Sequence, residues 1–317
     1  MALDLKWQSR LPNIELRLLS PVSSTTAHDG RSSSAEFGFR IVERGIEPRV
    51  LEIHPSGSGC IDTMNRLLVS LATYNEVGNL RPLVELIRQF APHAEIVVID
   101  DNSPDGTGQA ADALKKDFEG IHVIHRSGKL GLGTAVIEAI RFAINGRFDY
   151  LINLDADFSH PPRFIPNLLA GMDHNDVMIG SRYIRGGGVE GEFNLKRRLM
   201  SAGINWYARI FLGLNTKDNS GSYRCYRVAK LAQINLDAIR SQGYSFFEEI
   251  LYWCRKVDCR FGETPILFEN RRSGVSKINK TEAIKAVIVI FQLGVGRLLG
   301  RHEDRLPTSN QVPSDSP

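Results

Sequence analysis

The sequence predicts an α/β fold in which helices cover both faces of a mostly parallel sheet. From about residue 65 onward, short apolar runs of strand length alternate with segments of helical periodicity. Turn-forming residues separate these segments, and such a regular alternation is typical of β-α-β units with parallel strands. The chain has 317 residues, of which 42% are hydrophobic, so it can bury the core of a large α/β domain.

Seven consecutive elements follow from this pattern. Strands are predicted where short apolar runs end at turn residues, at 67–72, 95–99, 121–125 and 150–154. Helices are predicted where apolar residues recur at helical spacing, at 79–90, 106–118 and 131–145. Because open α/β sheets bind ligands at the carboxyl ends of their strands, functional residues are expected directly after each strand.

The overall charge gives little indication of a partner. Lysine and arginine number 39 against 36 acidic residues, a formal net charge of +3. Bulk electrostatics therefore do not predict nucleic-acid binding, and any affinity for phosphate must be local. The four cysteines form neither a disulfide framework nor paired zinc motifs, which favours reduced thiols in the cytosol. Cys254 and Cys259 are a weaker candidate for a metal pair.

The N-terminal residues differ from the rest of the chain. They lack the basic stretch and sustained apolar run of a secretory signal peptide. Serine, glycine and proline are frequent between Leu19 and Gly59, so residues 1–62 are predicted to form a largely disordered extension. A short apolar piece at 14–19 could dock on another surface, yet nothing in it suggests chemistry.

Two carboxylates, Asp155 and Asp157, come at the end of the last predicted strand. If the strand continues through them, both face the same side, because residues two apart on a strand do so. Two such acids can hold Mg²⁺ or Mn²⁺ together with bound phosphates. The alternative interpretation is an acidic cap of a helix that follows the strand.

Polar residues also follow the first two strands. Tyr74, Asn75 and Glu76 supply an aromatic ring, an amide and a carboxylate where a nucleoside could lie. Asp100 and Asp101 can accept hydrogen bonds from ribose hydroxyls or base NH groups. The alternative at both places is an ordinary strand-to-helix turn.

A glycine-rich segment, 126–135, opens the third helix and carries Arg126 and Lys129. Its spacing matches neither a G-x-G-x-x-G dinucleotide motif nor a P-loop, so it does not predict those sites. A helix N-terminus with two nearby cations can still favour a diphosphate.

Taken in order, these motifs resemble glycosyltransferase family 2, and most closely its dolichol-phosphate (polyprenol-phosphate) mannose synthases. The resemblance extends from about residue 65 to about residue 280. The matching motifs are Tyr74-Asn75-Glu76, Asp100-Asp101-x-Ser103-Pro104-Asp105-Gly106-Thr107, Lys129-x-Gly131-x-Gly133, Asp155-Ala156-Asp157-x-Ser159-His160-Pro161, Gly180-Ser181-Arg182-Tyr183 with Gly186-Gly187, Lys196-Arg197-Arg198 with Ser201, Asp218-x-Ser220-Gly221-Ser222-Tyr223-Arg224-x-Tyr226, Gly243-Tyr244-x-Phe246 with Glu248, and Arg271-x-x-Gly274-x-Ser276-Lys277.

The resemblance implies a Rossmann-like GT-A (nucleotide-diphospho-sugar transferase) fold over residues 63–280 and a nucleotide-sugar donor, typically GDP-mannose. Carried over by position, the residues expected to frame the nucleoside are Ala72, Tyr74, Glu76, Ile99 and Asp101. Asp155, Ala156 and Asp157 are expected to meet the ribose, the diphosphate and a Mg²⁺ or Mn²⁺ ion. The family usually has proline where this chain has Ala72, a departure that removes no side-chain chemistry because backbone contact is expected there.

Basic residues are implied for the second substrate, a dolichyl or polyprenyl phosphate. Arg182 would bridge the diphosphate and the acceptor, while Arg197 and Ser201 would bind the acceptor phosphate. Arg271 and Lys277 resemble a mobile loop that closes over the diphosphate. Without the resemblance, Lys196-Arg197-Arg198 would be interpreted as a solvated basic face.

The reaction implied is inverting transfer of mannose, which gives a β-linked mannosyl phosphate. The residues predicted to be catalytic are Asp155, Asp157, Arg182 and Arg271. Alternatives are a polyprenyl-phosphate glucosyl or aminosugar transferase, another family 2 transferase that acts on a saccharide, and a noncatalytic nucleotide-sugar-binding scaffold at a membrane.

Two apolar helical stripes predict peripheral attachment to the cytoplasmic face of a membrane. Leu195, Leu199, Trp206 and Ile210 lie near one helical face, although packing against the sheet explains them equally well. Residues 281–317 are predicted to form an amphipathic interfacial helix and a disordered tail. The uncharged core of that helix, 286–296, is shorter than the roughly 20 residues a bilayer crossing needs. Some relatives rely on a membrane partner subunit, and such a partner is compatible with this chain.

Overall fold

We describe a computed structural model of the chain, which covers residues 14–18, 39–43, 65–190, 195–269 and 280–299. The chain divides into two compact units, Met1–Asp62 and Thr63–Pro317. In the first unit, β1 (Ile14–Leu18) pairs antiparallel with β2 (Phe39–Glu43). The remainder of that unit lies outside the described residues, so the disordered extension stays a prediction.

The second unit is built on a seven-stranded sheet. Its strands are β3 (Leu67–Thr73), β4 (Glu95–Asp100), β5 (Ile121–His125), β6 (Tyr150–Asp155), β7 (Val177–Ser181), β9 (Arg224–Arg227) and β10 (Phe261–Pro265). A separate parallel pair consists of β8 (Gly188–Val189) and β11 (Leu267–Phe268). The order of the large sheet is β10-β7-β9-β6-β3-β4-β5, and only β9 runs antiparallel to its neighbours. The predicted mostly parallel sheet is therefore confirmed.

Helices cover both faces of this sheet, as the sequence predicted. They are α1 (Val77–Phe90), α2 (Thr107–Asp117), α3 (Leu132–Asn145), α4 (Ile165–Ala170), α5 (Leu195–Leu212), α6 (Val228–Leu231), α7 (Phe246–Lys256) and α8 (Lys280–Leu298). Alternation along β3 divides the core, since Leu68 packs in one buried cluster and Val69 and Leu71 in the other. The first cluster contains apolar residues of α3 and α7, and the second contains those of α1, α2 and α4.

The seven predicted elements of residues 67–155 all form, with boundaries that differ by two residues or fewer. Strands β3, β4 and β6 lie in the interior of the sheet and are almost wholly buried, whereas the edge strand β5 carries two histidines and is only partly buried. This regularity brings the carboxyl ends of β3, β4 and β6 to one edge.

Helix α8 packs on α5 and α7 and leaves an apolar stripe exposed. Ala286 and Ile290 of α8 are buried. The exposed apolar residues of α5 and α8 are Trp206, Ile210, Ile284, Val287, Ile288, Phe291 and Leu298. Within the part of the chain that the structure describes, no helix combines the length and apolarity needed to cross a bilayer.

Candidate active site

A cleft of about 400 Å³ lies at the carboxyl ends of β3, β4 and β6. Of the residues predicted for the donor and the metal, it is lined by Ala72, Tyr74, Glu76, Asp101, Asp155, Ala156 and Asp157. These residues come from three separate strand ends, and the parallel register of the sheet brings them together. Lys129 and the segment 242–244 also line the cleft.

One end of the cleft is aromatic and acidic. The ammonium group of Lys129 lies 4.3 Å from the ring centroid of Tyr74. Asp101 is 7% exposed and accepts a 2.5 Å hydrogen bond from Nη1 of Arg126. Burial raises the pKa of Asp101, and the Arg126 guanidinium opposes that shift. This end combines an aromatic face with carboxylate acceptors.

Arg126 differs from the expectation that it helps to bind a diphosphate. Its side chain is buried and bonds with Asp101, with the Thr134 hydroxyl and, at 3.3 Å, with Glu138. A guanidinium held by two carboxylates is already neutralised, so it supports the cleft wall rather than a ligand. Lys129 is the cation of this segment that lines the cleft.

Ile99 also lies elsewhere than expected for a residue that frames the nucleoside. Its side chain is 1% exposed and packs in the core cluster on the α3 side of the sheet. The next residue, Asp100, accepts hydrogen bonds from Oγ1 of Thr73 at 2.9 Å and from the backbone N–H of Ser103 at 3.0 Å. Both residues therefore shape the strand end from beneath the cleft.

Asp155 and Asp157 reach the cleft, although not by strand alternation. Strand β6 ends at Asp155, and a turn with positive φ at Phe158 follows. Oδ1 of Asp155 accepts a 2.9 Å hydrogen bond from Oγ of Ser222, and Oδ1 of Asp157 accepts one of 3.0 Å from the Ser159 N–H. A hydrogen bond from Ser222 holds Asp155 and one within the turn holds Asp157, so the period of a strand does not set the two carboxylates.

His160 supports this turn as a neutral imidazole. It is fully buried, and burial lowers its pKa, against the opposing charges of the two carboxylates. Its Nδ1 accepts a 3.2 Å hydrogen bond from the Asp155 N–H, and its ring contacts the rings of Tyr223 and Phe268. The imidazole therefore braces the backbone beneath Asp155.

The carboxylates of Asp155 and Asp157 suit a divalent metal ion whose other ligands include the phosphates of a nucleotide. The described residues contain no group of three or more His, Cys, Asp and Glu side chains arranged around a metal. Mg²⁺ and Mn²⁺ prefer oxygen ligands, and Mg²⁺ is commonly held by one or two carboxylates plus substrate phosphates. Asp155 and Asp157, which line the same cleft, are a pair of that kind. Cys254 and Cys259, the weaker candidate pair, are buried free thiols.

The glycines of segment 126–135 allow a close backbone contact. A Cβ on Gly131, whose φ is +103°, would lie 2.5 Å from the Gln242 carbonyl oxygen, and one on Gly133 would lie 2.6 Å from that of Ser241. The Gly133 N–H donates to the Gln242 carbonyl at 2.8 Å. This contact brings Gln242, Gly243 and Tyr244 into the cleft wall. The sequence shows the motif that contains Gly243 and Tyr244, but it does not show that this segment lies in the cleft wall.

Arg182 lies beside the cleft in a buried ion pair with Asp218. Its Nε and Nη2 donate to the two Asp218 oxygens at 2.8 and 2.7 Å, and its backbone N–H donates at 3.0 Å. Burial alone would lower the pKa of Arg182 and raise that of Asp218, but the mutual attraction reverses both shifts. The sequence assigned no site role to Asp218, although it belongs to the Asp-x-Ser-Gly-Ser motif.

The acceptor side is described only in part. Oγ of Ser201 accepts a 2.6 Å hydrogen bond from the Tyr183 hydroxyl, next to Arg182. The Arg197 side chain, Arg271 and Lys277 lie outside what the structure describes, so their roles stay predictions.

Glu248 is a further acidic residue in this region. It is 3% exposed, and burial raises its pKa to about 7, with opposing effects from the charges of Arg224 and Arg182. Its Oε2 has no hydrogen-bond partner among the described residues. The carboxyl therefore carries a proton over much of the range below neutral pH.

Comparisons with known proteins agree with this geometry. A family model described as "Glycosyl transferase family 2" matches residues 69–234. The chain is 37% identical to the undecaprenyl-phosphate mannosyltransferase of Micrococcus luteus over 230 residues, which are 73% of this chain and 94% of that protein. It is 37% identical to the polyprenol monophosphomannose synthase of Mycolicibacterium smegmatis over 238 residues, 74% of this chain and 89% of the other.

A solved structure shares the fold. The glucosyl-3-phosphoglycerate synthase of Mycobacterium tuberculosis, in complex with Mn²⁺, UDP and glucosyl-3-phosphoglycerate, superimposes with a TM-score of 0.54 at 17% identity. The match covers 74% of this chain and 81% of that one. At this identity the similarity concerns the fold of the polypeptide.

Proposed function

This chain belongs to glycosyltransferase family 2 and has its GT-A fold, and from that premise we propose that it transfers mannose from GDP-mannose to a dolichyl or polyprenyl phosphate with inversion. Two relatives at 37% identity, which carry names of polyprenyl-phosphate mannosyltransferases, support the sugar and the acceptor class. The observation that carries the proposal is the cleft, where Tyr74, Asp101, Asp155 and Asp157 converge from three strand ends.

The donor would lie across these strand ends. The Tyr74 ring offers a face for the base, while the carboxylates of Glu76 and Asp101 accept hydrogen bonds from base NH groups or ribose hydroxyls. Lys129 brings a positive charge to the same cleft. A Mg²⁺ or Mn²⁺ ion held by Asp155 and Asp157 would neutralise charge on the diphosphate.

The acceptor phosphate is itself the nucleophile. The second ionisation of a phosphate monoester lies near pH 6, so an oxygen of the acceptor is already negatively charged at neutral pH. It attacks the anomeric carbon as the bond to the diphosphate oxygen breaks, and that oxygen takes the electron pair. Attack opposite the leaving group converts an α-linked donor into a β-linked mannosyl phosphate. The protein needs no strong base, and its main task is to position two anions.

Arg182 and Ser201 are the described residues suited to hold the acceptor. Arg182 bonds to Asp218 through Nε, Nη2 and its backbone N–H, which fixes the plane of its guanidinium. Ser201 lies within reach of the Tyr183 hydroxyl, one residue from Arg182. Arg197 on the same helix, together with Arg271 and Lys277 farther along the chain, is proposed to add positive charge around the two phosphates.

We further propose peripheral attachment to the cytoplasmic face of a membrane, with or without a partner subunit. The exposed stripe of α8 and the adjacent Trp206 and Ile210 of α5 form an apolar surface suited to an interface. Because α5 also carries Ser201, such an orientation would present the acceptor site to a lipid headgroup.

A panel of labelled GDP and UDP sugars with polyprenyl phosphate and a metal titration tests the proposal. We expect metal-dependent transfer from GDP-mannose alone, with a β-linked product identified by NMR. Transfer from a UDP sugar instead would favour a glucosyl or aminosugar transferase. Binding of donors without any transfer would indicate a scaffold and would overturn the proposal.

A further inference from the structure

Asn205 of α5 lies at a junction that the reaction described above does not use. Its side chain is 3% exposed. Oδ1 accepts hydrogen bonds from the backbone N–H groups of Asn219 and Ser220, at 2.7 and 3.1 Å. Nδ2 donates to the Ser201 carbonyl at 3.0 Å and to Oγ of Ser220 at 3.4 Å. One amide therefore ties helix α5 to the turn formed by residues 216–222.

The 216–222 turn bonds to two candidate functional residues. Asp218 clamps Arg182 through three hydrogen bonds. Ser222 donates from Oγ to Oδ1 of Asp155 at 2.9 Å, and its carbonyl accepts a 2.9 Å hydrogen bond from Nδ2 of Asn153 on β6. The turn thus spans the distance between the proposed acceptor cation and the proposed metal carboxylate.

The side chain of Glu263 also holds this turn. The Glu263 carboxylate of β10 accepts hydrogen bonds from the N–H groups of Lys217 and Asp218 at 2.9 and 3.1 Å. On the α5 side, the Asn205 side chain makes most of the hydrogen bonds to the turn, and the Asn205 carbonyl accepts one more, of 3.3 Å, from Nδ2 of Asn219.

We propose that Asn205 is a positioning residue, which acts through the 216–222 turn to align Arg182 and Asp155 with α5, the helix that carries Ser201. The inference rests on the proposed function, since it concerns the alignment of acceptor and donor sites. Helix α5 carries Ser201 on one side of Asn205 and the exposed Trp206 on the other. Any shift of α5 at a membrane surface is therefore transmitted to Asp155 through hydrogen bonds.

A role in positioning differs measurably from a role in folding alone. The cleft residues that would frame the nucleoside, Tyr74, Glu76 and Asp101, follow β3 and β4, whereas the 216–222 turn precedes β9 and bonds to residues of β6. At a saturating Mn²⁺ concentration, which compensates for weaker metal binding at Asp155, loss of Asn205 is therefore expected to leave the KM for the donor unchanged. It is expected to lower kcat by about 10-fold or more and to raise the KM for the acceptor, because small misalignments of reacting groups are costly.

The first experiment compares Asn205→Ala with Asn175→Ala at a temperature where both variants are folded by circular dichroism. Asn175 is a matched control, because its Nδ2 makes one 2.9 Å hydrogen bond to the Gly171 carbonyl, away from the cleft. We expect the split between kcat and donor KM in Asn205→Ala only. A folded Asn205→Ala with kcat within twofold of wild type would overturn the inference.

The second experiment tests the route through Ser222. Mn²⁺ affinity in the presence of GDP, measured by EPR of free Mn²⁺, is expected to fall about 10-fold in Ser222→Ala, the range typical of residues that orient metal ligands. The double variant, Ser222→Ala with Asn205→Ala, should lose no more Mn²⁺ affinity than the single variant with the larger loss, since both residues act through one turn. Unchanged Mn²⁺ affinity, or independent multiplicative losses, would refute the route.

This binding measurement needs no acceptor, so it separates the two hypotheses. If the wild type binds Mn²⁺ and GDP but transfers no mannose, the proposed function is contradicted. The Mn²⁺ affinities of the Ser222 and Asn205 variants then still test the link between Asn205 and Asp155. A wild type that neither binds nor transfers overturns both.

Discussion

Replacement of Asp218 by asparagine should destabilise the protein strongly, because it leaves the Arg182 guanidinium without its counter-charge. The Asp218 side chain is 0% exposed and that of Arg182 is 14% exposed. The carboxylate accepts three hydrogen bonds from Arg182 and a fourth, of 3.1 Å, from the Gly221 N–H. An amide has only one oxygen, and its NH₂ group would face the donors of Arg182.

The magnitude follows from the burial. Loss of one partner of a buried ion pair typically costs about 3 to 5 kcal/mol. For a unit of this size, about 3 kcal/mol corresponds to a fall in Tm of roughly 6 to 12 °C. Scanning calorimetry of wild type and Asp218→Asn measures the difference directly. Asp117→Asn is the control, since the Arg81–Asp117 pair is about half exposed and should contribute no more than about 1 kcal/mol.

The pH dependence gives a second check on the same pair. Despite burial, which would raise it, the neighbouring Arg182 lowers the pKa of Asp218 in the folded protein. The folded state therefore binds fewer protons than the unfolded state as the pH falls, so the stability due to the pair is present above the ordinary aspartate pKa and lost below it. The Tm gap between wild type and Asp218→Asn should narrow in acid. A gap below 2 °C at pH 7 would refute the reasoning.

Three further predictions concern the metal, a buried acid and the membrane. Asp157→Ala should abolish metal-dependent transfer while the fold is retained by circular dichroism, and full activity at ordinary metal concentrations would contradict the assignment. Burial raises the pKa of Glu248 from 4.5 to about 7, so the folded state binds more protons than the unfolded state between these values. The free energy of unfolding of wild type should therefore fall relative to that of Glu248→Gln between about pH 4.5 and 7, by up to about 3 kcal/mol in urea unfolding. An equal pH dependence of the two proteins would contradict the assignment of a buried, protonated Glu248. Ile288→Glu, at a site 50% exposed, should leave Tm unchanged and reduce sedimentation with anionic liposomes. No lipid-dependent sedimentation of wild type, with or without donor, would count against the interface.

The order of the elements could be predicted from the sequence because each one is local. Apolar runs such as 150–154 and the helical spacing of 131–145 specify strand and helix over a few residues, and the structure has both within one residue. The convergence of Tyr74, Asp101 and Asp155 also followed, because parallel strands place their carboxyl ends at one edge.

For Arg126 and Ile99, the sequence could not show what surrounds each side chain. A sequence shows a cation near a glycine-rich turn, but it does not show that Asp101, 25 positions earlier, faces and neutralises that cation. For Ile99, position in the motif placed it at the nucleoside, whereas the face of β4 on which it lies places it in the core.

By itself, the sequence determined the α/β alternation, the strand-end location of the site and the family, because these depend on local periodicity and on motifs that are contiguous in the chain. Only the tertiary structure decided which charges are already paired. The bonds of Arg182 with Asp218, of Ser222 with Asp155 and of Asn205 with Ser220 join residues 15 to 67 positions apart. Hydrogen bonds of a few ångströms depend on how the chain returns on itself, and no local pattern in the sequence records that distance.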